Sequence, residues 1–169
     1  MIKGLFRLLL PSVLFIPCAS HAFNYKKAEA FQALEAVTSV AAFESDIEKY
    51  TQECLDNTGG GSGGIPCFIA STLWDRELNS YYKKLMANLP ESQKAILQES
   101  QIIWIKERDK TIAFNTALLD EKYKSREMGT MSELMRAGDL DNTITPIIKS
   151  RVLYLKYWAD WVAKTKSEK

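Results

Sequence analysis

The sequence predicts an all-α protein, a single small antiparallel helical bundle with one disulfide. Apolar residues recur at helical spacing along most of the chain, and no stretch alternates apolar and polar residues for long enough to indicate a sheet. A glycine run at 59–64 and Pro90 interrupt the pattern, as expected between helices. The composition, 46% hydrophobic and 25% charged, is that of one ordinary soluble domain and excludes a disordered or multi-span membrane protein.

Residues 1–22 have the features of a secretory signal peptide. Lys3 and Arg7 precede an uncharged apolar stretch, and Ser20 and Ala22 supply the small residues that a signal peptidase requires. The apolar stretch is too short for a stable membrane span. We therefore predict cleavage near Ala22 and a periplasmic or secreted product without a stable membrane span.

Cleavage would remove Cys18 and His21, the only histidine of the chain. Pro17 stands where a lipoprotein would have a small residue before Cys18, which disfavours lipidation. A mature chain without histidine excludes Ser-His-Asp and Cys-His catalysis and His-ligated zinc. A carboxylate-pair enzyme or a Ser-Lys nucleophile survives this test, because each depends on pocket geometry.

Cys54 and Cys67 are the two cysteines of the mature chain, and in an exported protein they are most simply one disulfide. This bond would close a loop of about 14 residues and stabilise the fold by roughly 3 kcal/mol. With Lys3 and Arg7 removed, 20 basic residues remain against 21 acidic ones. A formal charge of −1 offers no basic surface to nucleic acid, so we predict no nucleic-acid partner.

The first helical pattern covers about 26–56 and has apolar spacings that mostly fit one face. We divide the mature chain into an N-terminal helical segment at 23–49, separate or frayed, a helical domain at 50–165 and a flexible tail at 166–169. The glycine run at 59–64 is interpreted as an exposed linker, because residues without restricting side chains have weak structural preference.

The second helix is predicted at about 67–89 and ends at Pro90. The third begins at 91–92, where an acidic residue and a hydroxyl suit a helix N-terminus, and runs towards Tyr123. An unbroken helix of this length would span roughly 45 to 50 Å, which suggests a bend or break near 110–115.

Residues 128–142 contain two glycines and several acidic residues, and we interpret them as a loop around a short helix. The last helix is predicted to begin with Thr145 as its cap and Pro146 at its first position. Its predicted apolar stripe consists of Ile148, Val152, Leu155, Trp158 or Ala159, and Val162.

Hydrogen-bonding and aromatic residues share one stripe on each of the second and third helices. An antiparallel hairpin at Pro90 would bring the two stripes together, with Asp75 and Asn79 near Arg108. Arg151 of the last helix would add a second guanidinium to the layer. The full set is Asp75, Asn79 and Tyr82 on the second helix, Gln101, Trp104, Arg108 and Asp109 on the third, and Arg151 on the last.

Two interpretations of this polar set remain open. It is either a buried hydrogen-bond and ion-pair layer that sets helix register, or a recognition surface with Trp104, Tyr82 and Arg108 as anchors. If Arg108 is a buried, paired charge, its replacement by alanine would lower stability by roughly 3 kcal/mol or more.

A glycosidase would need one carboxyl of raised pKa and a second one across a cleft. The nearest candidates are Glu77, Asp75 and Asp109, but Glu77 falls on the helix face away from Trp74 and is expected to be solvated. We therefore predict no enzymatic activity, no catalytic residue, no metal site and no cofactor.

The polar strings, taken in order, resemble the LprI-type lysozyme inhibitor family of small exported bacterial helical proteins. The resemblance covers about 50–158. The family pattern often has further cysteines after the Arg-Asp pair and after the Gly-Thr segment; here 110–113 and 132–134 contain none, so a second disulfide is missing. The resemblance is carried by Cys54 and Cys67, by Trp74, Asp75, Glu77, Leu78, Asn79, Tyr82 and Leu85, by Leu97, Gln101, Trp104, Arg108 and Asp109, by Gly129, Thr130 and Met131, and by Arg151.

The resemblance implies a periplasmic or secreted protein whose partner is a lysozyme or another muramidase that it blocks, in one form as immunity against a competitor's toxin. The alternative is a structural or adaptor module of the cell envelope without inhibitory activity. Two loops are candidates to enter a muramidase cleft, namely 56–66, for which flexibility predicts a high entropic cost, and 122–141. In the second loop the candidate contacts are Lys122, Lys124, Arg126, Met128, Gly129, Thr130 and Met131.

Overall fold

The computed structural model describes residues 23–124 and 129–168, and within them it contains helices and no strand. This confirms the predicted all-α class. The predicted signal peptide at 1–22 lies outside the described residues, in which no helix is long and apolar enough to cross a membrane. The elements are short 3-10 helices at Ala28–Ala30 and Gly61–Cys67, and the α-helices α1 (Val40–Thr58), α2 (Ala70–Asn88), α3 (Glu91–Tyr123) and α4 (Gly129–Ser167).

The core lies mainly between α2 and α4, and α1 covers one side of this pair. Leu73 and Trp74 of α2 and Val152 and Leu155 of α4 are almost completely buried. Phe43 of α1 meets the Trp74 ring edge-on at 5.1 Å between centroids, an arrangement that the ring quadrupoles favour. Helices α1, α2 and α4 therefore share one apolar core.

Helix α3 packs less deeply than the other helices. It is continuous from Glu91 to Tyr123, without the interruption expected near 110–115. It runs antiparallel to α4, because Asp120 pairs with Arg136 near one end of the helix pair and Ser100 accepts a hydrogen bond from Arg151 nearer the other. The buried residues of α3 are Gln101, Leu119 and Tyr123.

The segment before α1 differs from the predicted helix over about 26–56. It has one 3-10 turn at Ala28–Ala30, and α1 begins only at Val40, where the Ser39 hydroxyl accepts a hydrogen bond from the backbone N–H of Ala42. Helix α1 ends at Gly59, which has a left-handed conformation with φ of 68°. Glycine adopts this conformation without steric cost, so the predicted stop at the glycine run is confirmed.

The predicted start of the last helix at Thr145 and Pro146 is wrong. Helix α4 begins at Gly129, and Pro146 lies inside it, where it cannot donate the usual backbone hydrogen bond. Tertiary contacts stabilise the preceding turns, which the sequence suggested were mostly loop. A Cβ on the buried Gly138 would lie 2.9 Å from the Phe68 ring, so the absence of a side chain lets α4 approach that ring closely.

The N-terminus of α2 is capped by a residue that is distant in sequence. The buried carboxylate of Asp141 accepts hydrogen bonds from the backbone N–H groups of Ala70, at 3.2 Å, and Ser71, at 2.9 Å. A carboxylate at this end of a helix satisfies free donors and interacts favourably with the helix dipole. This contact joins α2 to α4 at the level of Asp141.

The disulfide between Cys54 and Cys67 is present, as predicted, with 5.6 Å between the Cα atoms. Both cysteines are fully buried. The glycine run between them is not the exposed linker that was expected, because part of it forms the 3-10 helix Gly61–Cys67 and Gly64 is buried. A Cβ on Gly64 would lie 2.7 Å from Leu134 and 2.9 Å from Leu55.

We expect Gly64→Ala to lower the free energy of unfolding by about 1–3 kcal/mol, because the new methyl group would overlap Leu134 and Leu55. The matched control is Gly63→Ala, whose Cβ would lie 3.5 Å from the Thr58 carbonyl oxygen in ordinary contact. Urea denaturation of both variants measures the difference. Equal stability of the two would contradict the close packing of this segment on α4.

Candidate functional site

Two surfaces bring together residues that the sequence singled out. The first, here called the arginine–tryptophan face, consists of Asp75, Gln101, Trp104, Arg108 and Arg151. Arg108 reaches across from α3 to α2 and pairs with Asp75 at 3.4 Å. Its guanidinium lies over the Trp104 ring, 5.3 Å from the centroid. The predicted approach of the α2 and α3 stripes is therefore observed at this pair.

Arg151 approaches the same indole from α4, with its guanidinium carbon 5.8 Å from the centre of the Trp104 ring. Its Nε donates a hydrogen bond to the buried Gln101 at 3.0 Å, and its Nη2 donates one to Ser100 at 3.0 Å. Burial lowers the pKa of Arg151 from its usual value. These contacts hold a partly buried cation between α3 and α4.

The arginine–tryptophan face is partly exposed to solvent and is not buried in the core. The side chain of Arg108 is 21% exposed and that of Asp75 is 43% exposed. Asn79 is exposed and donates to the side chain and carbonyl oxygen of Asp75 instead of approaching Arg108. Exposed Asp109 pairs with Arg108 at 2.8 Å, and Tyr82 packs at the edge of the core.

Glu77 was expected to be solvated, and this prediction is wrong. Its side chain is 2% exposed and pairs with Arg76 at 2.6 Å. The same guanidinium donates to the carbonyl oxygens of Ala28, Phe31 and Gln32, all in the segment before α1. The periodicity argument failed because it did not anticipate that the segment before α1 covers this face of α2.

The second surface, here called the tip, consists of Gly60, Gly61, Thr130, Met131 and Met135. The glycine segment lies against the first turn of α4: a Cβ on Gly61 would be 2.9 Å from the Thr130 hydroxyl, and one on Gly60 would be 3.9 Å from the Met131 methyl group. Met131 is 47% exposed and Met135 is 40% exposed. The tip thus joins parts of the two loops that the sequence offered as separate candidates.

Other predicted contact residues border the tip. Lys122, at the end of α3, pairs with Asp139 of α4, and this hydrogen bond raises the pKa of Lys122. Lys124 is exposed and pairs with Glu121 at 3.4 Å. Gly129 opens α4 with φ of 53°. Arg126 and Met128 lie outside the described residues.

The sequence interpretation missed an aromatic surface on the second half of α4. Tyr154, Tyr157, Trp158 and Trp161 are all at least 40% exposed, although Trp158 was counted with the core stripe as an alternative to Ala159. Their spacings of three and four residues place them on one side of the helix. The run of aromatic residues at these spacings was the signal in the sequence that could have indicated this surface.

The candidate catalytic carboxylates, all in the described segments, are held in ion pairs rather than grouped at a metal site. Within residues 23–124 and 129–168, no group of three or more acidic, histidine or cysteine residues is placed to hold a metal ion. Asp75 and Asp109 both pair with Arg108, and Glu77 with Arg76. The three carboxylates considered for glycosidase chemistry are thus all in ion pairs.

Residues 67–145 match the family model described as lysozyme inhibitor LprI. The match covers a little less than half of the chain and includes α2, α3 and the first turns of α4. It confirms the resemblance for that region and includes most of the arginine–tryptophan face and, at the tip, Thr130, Met131 and Met135. No curated protein and no solved structure matches the chain.

We expect Arg76→Met to lower the free energy of unfolding by about 3 kcal/mol, because it would leave the buried Glu77 carboxylate without its partner. Lys84→Met is the control, since it removes a pair with Glu35 in which both side chains are more than one third exposed, and it should cost less than about 1 kcal/mol. Thermal unfolding of both variants tests this. Similar losses would show that Glu77 is hydrated.

Arg108→Ala should cost only about 1 kcal/mol of stability, because its ion pairs are partly exposed and its contact with Trp104 contributes a similar small amount. This is well below the roughly 3 kcal/mol expected for a buried charge. Urea denaturation beside Arg136→Ala, which removes another partly exposed pair, measures it. A stability loss of about 3 kcal/mol or more in Arg108→Ala, roughly three times the loss in Arg136→Ala, would restore the buried-layer interpretation.

Proposed function

We propose, from the match of residues 67–145 to the LprI family, that the mature chain is an exported protein that binds a peptidoglycan-cleaving muramidase and blocks its cleft. The family description supports the class of partner. The predicted signal peptide and the buried Cys54–Cys67 disulfide support an oxidising compartment outside the cytosol. An immunity role against a competitor's wall-degrading enzyme is one form of this function.

The proposal assigns the contact to the tip, and one observation carries it: the glycine segment packs on Thr130 and Met131 instead of standing free. A free run of glycines would lose about 1–2 kcal/mol per residue in backbone entropy on binding. Packing on α4 and the neighbouring disulfide remove much of that cost before a partner arrives. The tip is therefore a preorganised surface at the end of the bundle.

The exposed side chains of the tip suit such a contact. Met131 and Met135 are flexible, polarisable and exposed, which allows them to fit an irregular protein surface. Lys122 and Lys124 add cations beside a cleft that carries two catalytic carboxylates. Because each lysine already pairs with a carboxylate of this chain, the methionine contacts should supply more of the affinity than charge.

The arginine–tryptophan face is the competing contact surface for the same function. Trp104 lies beside two guanidinium groups, and tryptophan and arginine are enriched among the residues that dominate binding energies. The tip is favoured because it lies at the end of the bundle, where α1 ends and α4 begins, whereas the arginine–tryptophan face lies along its side. Separate variants of the two surfaces distinguish them.

The test is residual muramidase activity during titration with the mature, oxidised protein, using animal and bacterial lysozymes of several classes. We expect saturable inhibition near one-to-one stoichiometry. Met131→Asp should weaken it roughly tenfold or more, because it places a charge in the contact. Ile102→Asp is the matched control, since Ile102 is also 47% exposed but lies on α3, away from the tip.

Inhibition that survives Met131→Asp but is lost in Arg108→Ala would move the contact to the arginine–tryptophan face. No inhibition of any muramidase would instead favour the alternative, a structural or adaptor module of the envelope. A pull-down from envelope extract then separates the two functions by whether a muramidase or a non-enzymatic envelope protein is recovered.

A further inference from the structure

An apolar groove runs between α4 and the hairpin of α2 and α3, at the end of the bundle opposite the disulfide. Leu89, Ile96 and Leu97 form one wall, and Tyr154, Trp158 and Trp161 form the other. Its volume is about 450 Å³, within the range of small-molecule sites. Ile96 is 68% exposed and Trp161 is 53% exposed, so both walls of the groove present apolar side chains to solvent.

A cation lies beside one end of this groove and contacts two of its lining residues. Arg151 donates a hydrogen bond to Ser100 at 3.0 Å and lies 5.3 Å from the centre of the Tyr154 ring, and both of these residues line the groove. Its Nε and Nη2 make the hydrogen bonds to Gln101 and Ser100, and within the described part of the chain no carboxylate pairs with it. The charge of Arg151 is thus partly buried without a paired anion. Nη1 and the second N–H of Nη2 make no hydrogen bond within the described residues, so they can donate to an anion.

The groove and the arginine together specify a ligand with two parts. Leucine, isoleucine and tryptophan side chains favour an apolar chain with few hydrogen-bonding groups. The guanidinium favours an anionic head, to which it can donate paired hydrogen bonds. Along α4 the groove runs from Tyr154 to Val162, about 12 Å at the helical rise of 1.5 Å per residue, and Arg151 lies about one turn before it.

We propose that this groove binds a long-chain fatty acid, with its carboxylate at Arg151 and its chain along Trp158 and Trp161. The site is independent of the tip, because it lies towards the opposite end of α4. It does not depend on the muramidase proposal.

Tryptophan fluorescence tests this directly, because Trp158 and Trp161 line the groove whereas Trp74 is buried elsewhere in the core. Dibrominated stearate, kept below its aggregation concentration, should quench the mature protein saturably. Palmitate should reverse the quenching, and octanoate, which is too short to fill the groove, should compete more weakly, since each buried methylene changes affinity roughly three- to fourfold. Hexadecanol, which has the same chain without the charge, should compete at least tenfold more weakly than palmitate.

Two variants separate the head from the chain. Arg151→Gln should weaken stearate binding roughly tenfold or more, while Arg136→Gln, on the same helix and paired with Asp120, should leave it unchanged. Trp161→Ala removes an exposed wall residue and should weaken binding of palmitate more than that of octanoate, whose chain is too short to reach Trp161. Thermal unfolding of each variant confirms that it is folded.

Lysophosphatidylglycerol and lysophosphatidylcholine are tested as competitors of brominated stearate. Each has a single acyl chain, and their head groups are anionic and zwitterionic respectively. Displacement by palmitate but by neither lysophospholipid supports the fatty acid, whereas displacement by lysophosphatidylglycerol as effective as that by palmitate would assign the groove to anionic lysophospholipids and overturn the proposal. Absence of saturable quenching, equal competition by hexadecanol and palmitate, or equal effects of Arg151→Gln and Arg136→Gln would overturn the proposal.

Discussion

The disulfide between Cys54 and Cys67 joins the end of α1 to the start of α2 and makes the glycine segment between them a short closed loop. Closure removes conformations from the unfolded chain, and packing of Gly64 against Leu55 and Leu134 removes further freedom in the folded one. A segment with little structural preference of its own thereby becomes a surface of fixed shape. The tip depends on this constraint, because Thr130 and Met131 meet the glycines only while the loop is held against α4.

Helix α4 connects the parts of the molecule. Its first turns meet the glycine segment, Asp141 caps α2, and Val152 and Leu155 fill the core. Helix α3, by contrast, buries few side chains and leaves apolar ones exposed along its length. Stability is thus concentrated in α1, α2 and α4, and most of the exposed large apolar side chains lie on α3 and α4.

Arg151 links the arginine–tryptophan face to the apolar groove. It contacts Trp104 of the arginine–tryptophan face and Tyr154 of the apolar groove. Trp104 in turn lies beside Arg108, which pairs with Asp75 on α2. Planar guanidinium groups suit this place because they can lie against aromatic rings while donating hydrogen bonds in the plane. A charge at this point can therefore set helix register and remain available to an anion.

The sequence by itself determined the all-α class, the disulfide, the positions of α2 and α3 and the approach of Asp75 to Arg108. These follow from local periodicity, breakers such as Pro90 and the pairing of two cysteines. Tertiary structure decided where α4 begins, the burial of Glu77, the order in the glycine segment and the exposure of Trp158. Each of these depends on a contact between residues far apart in the chain: Gly138 with Phe68, Arg76 with the backbone at 28–32, and Gly64 with Leu134. Local propensity cannot register such contacts, because the free energy they contribute exists only once the helices have packed.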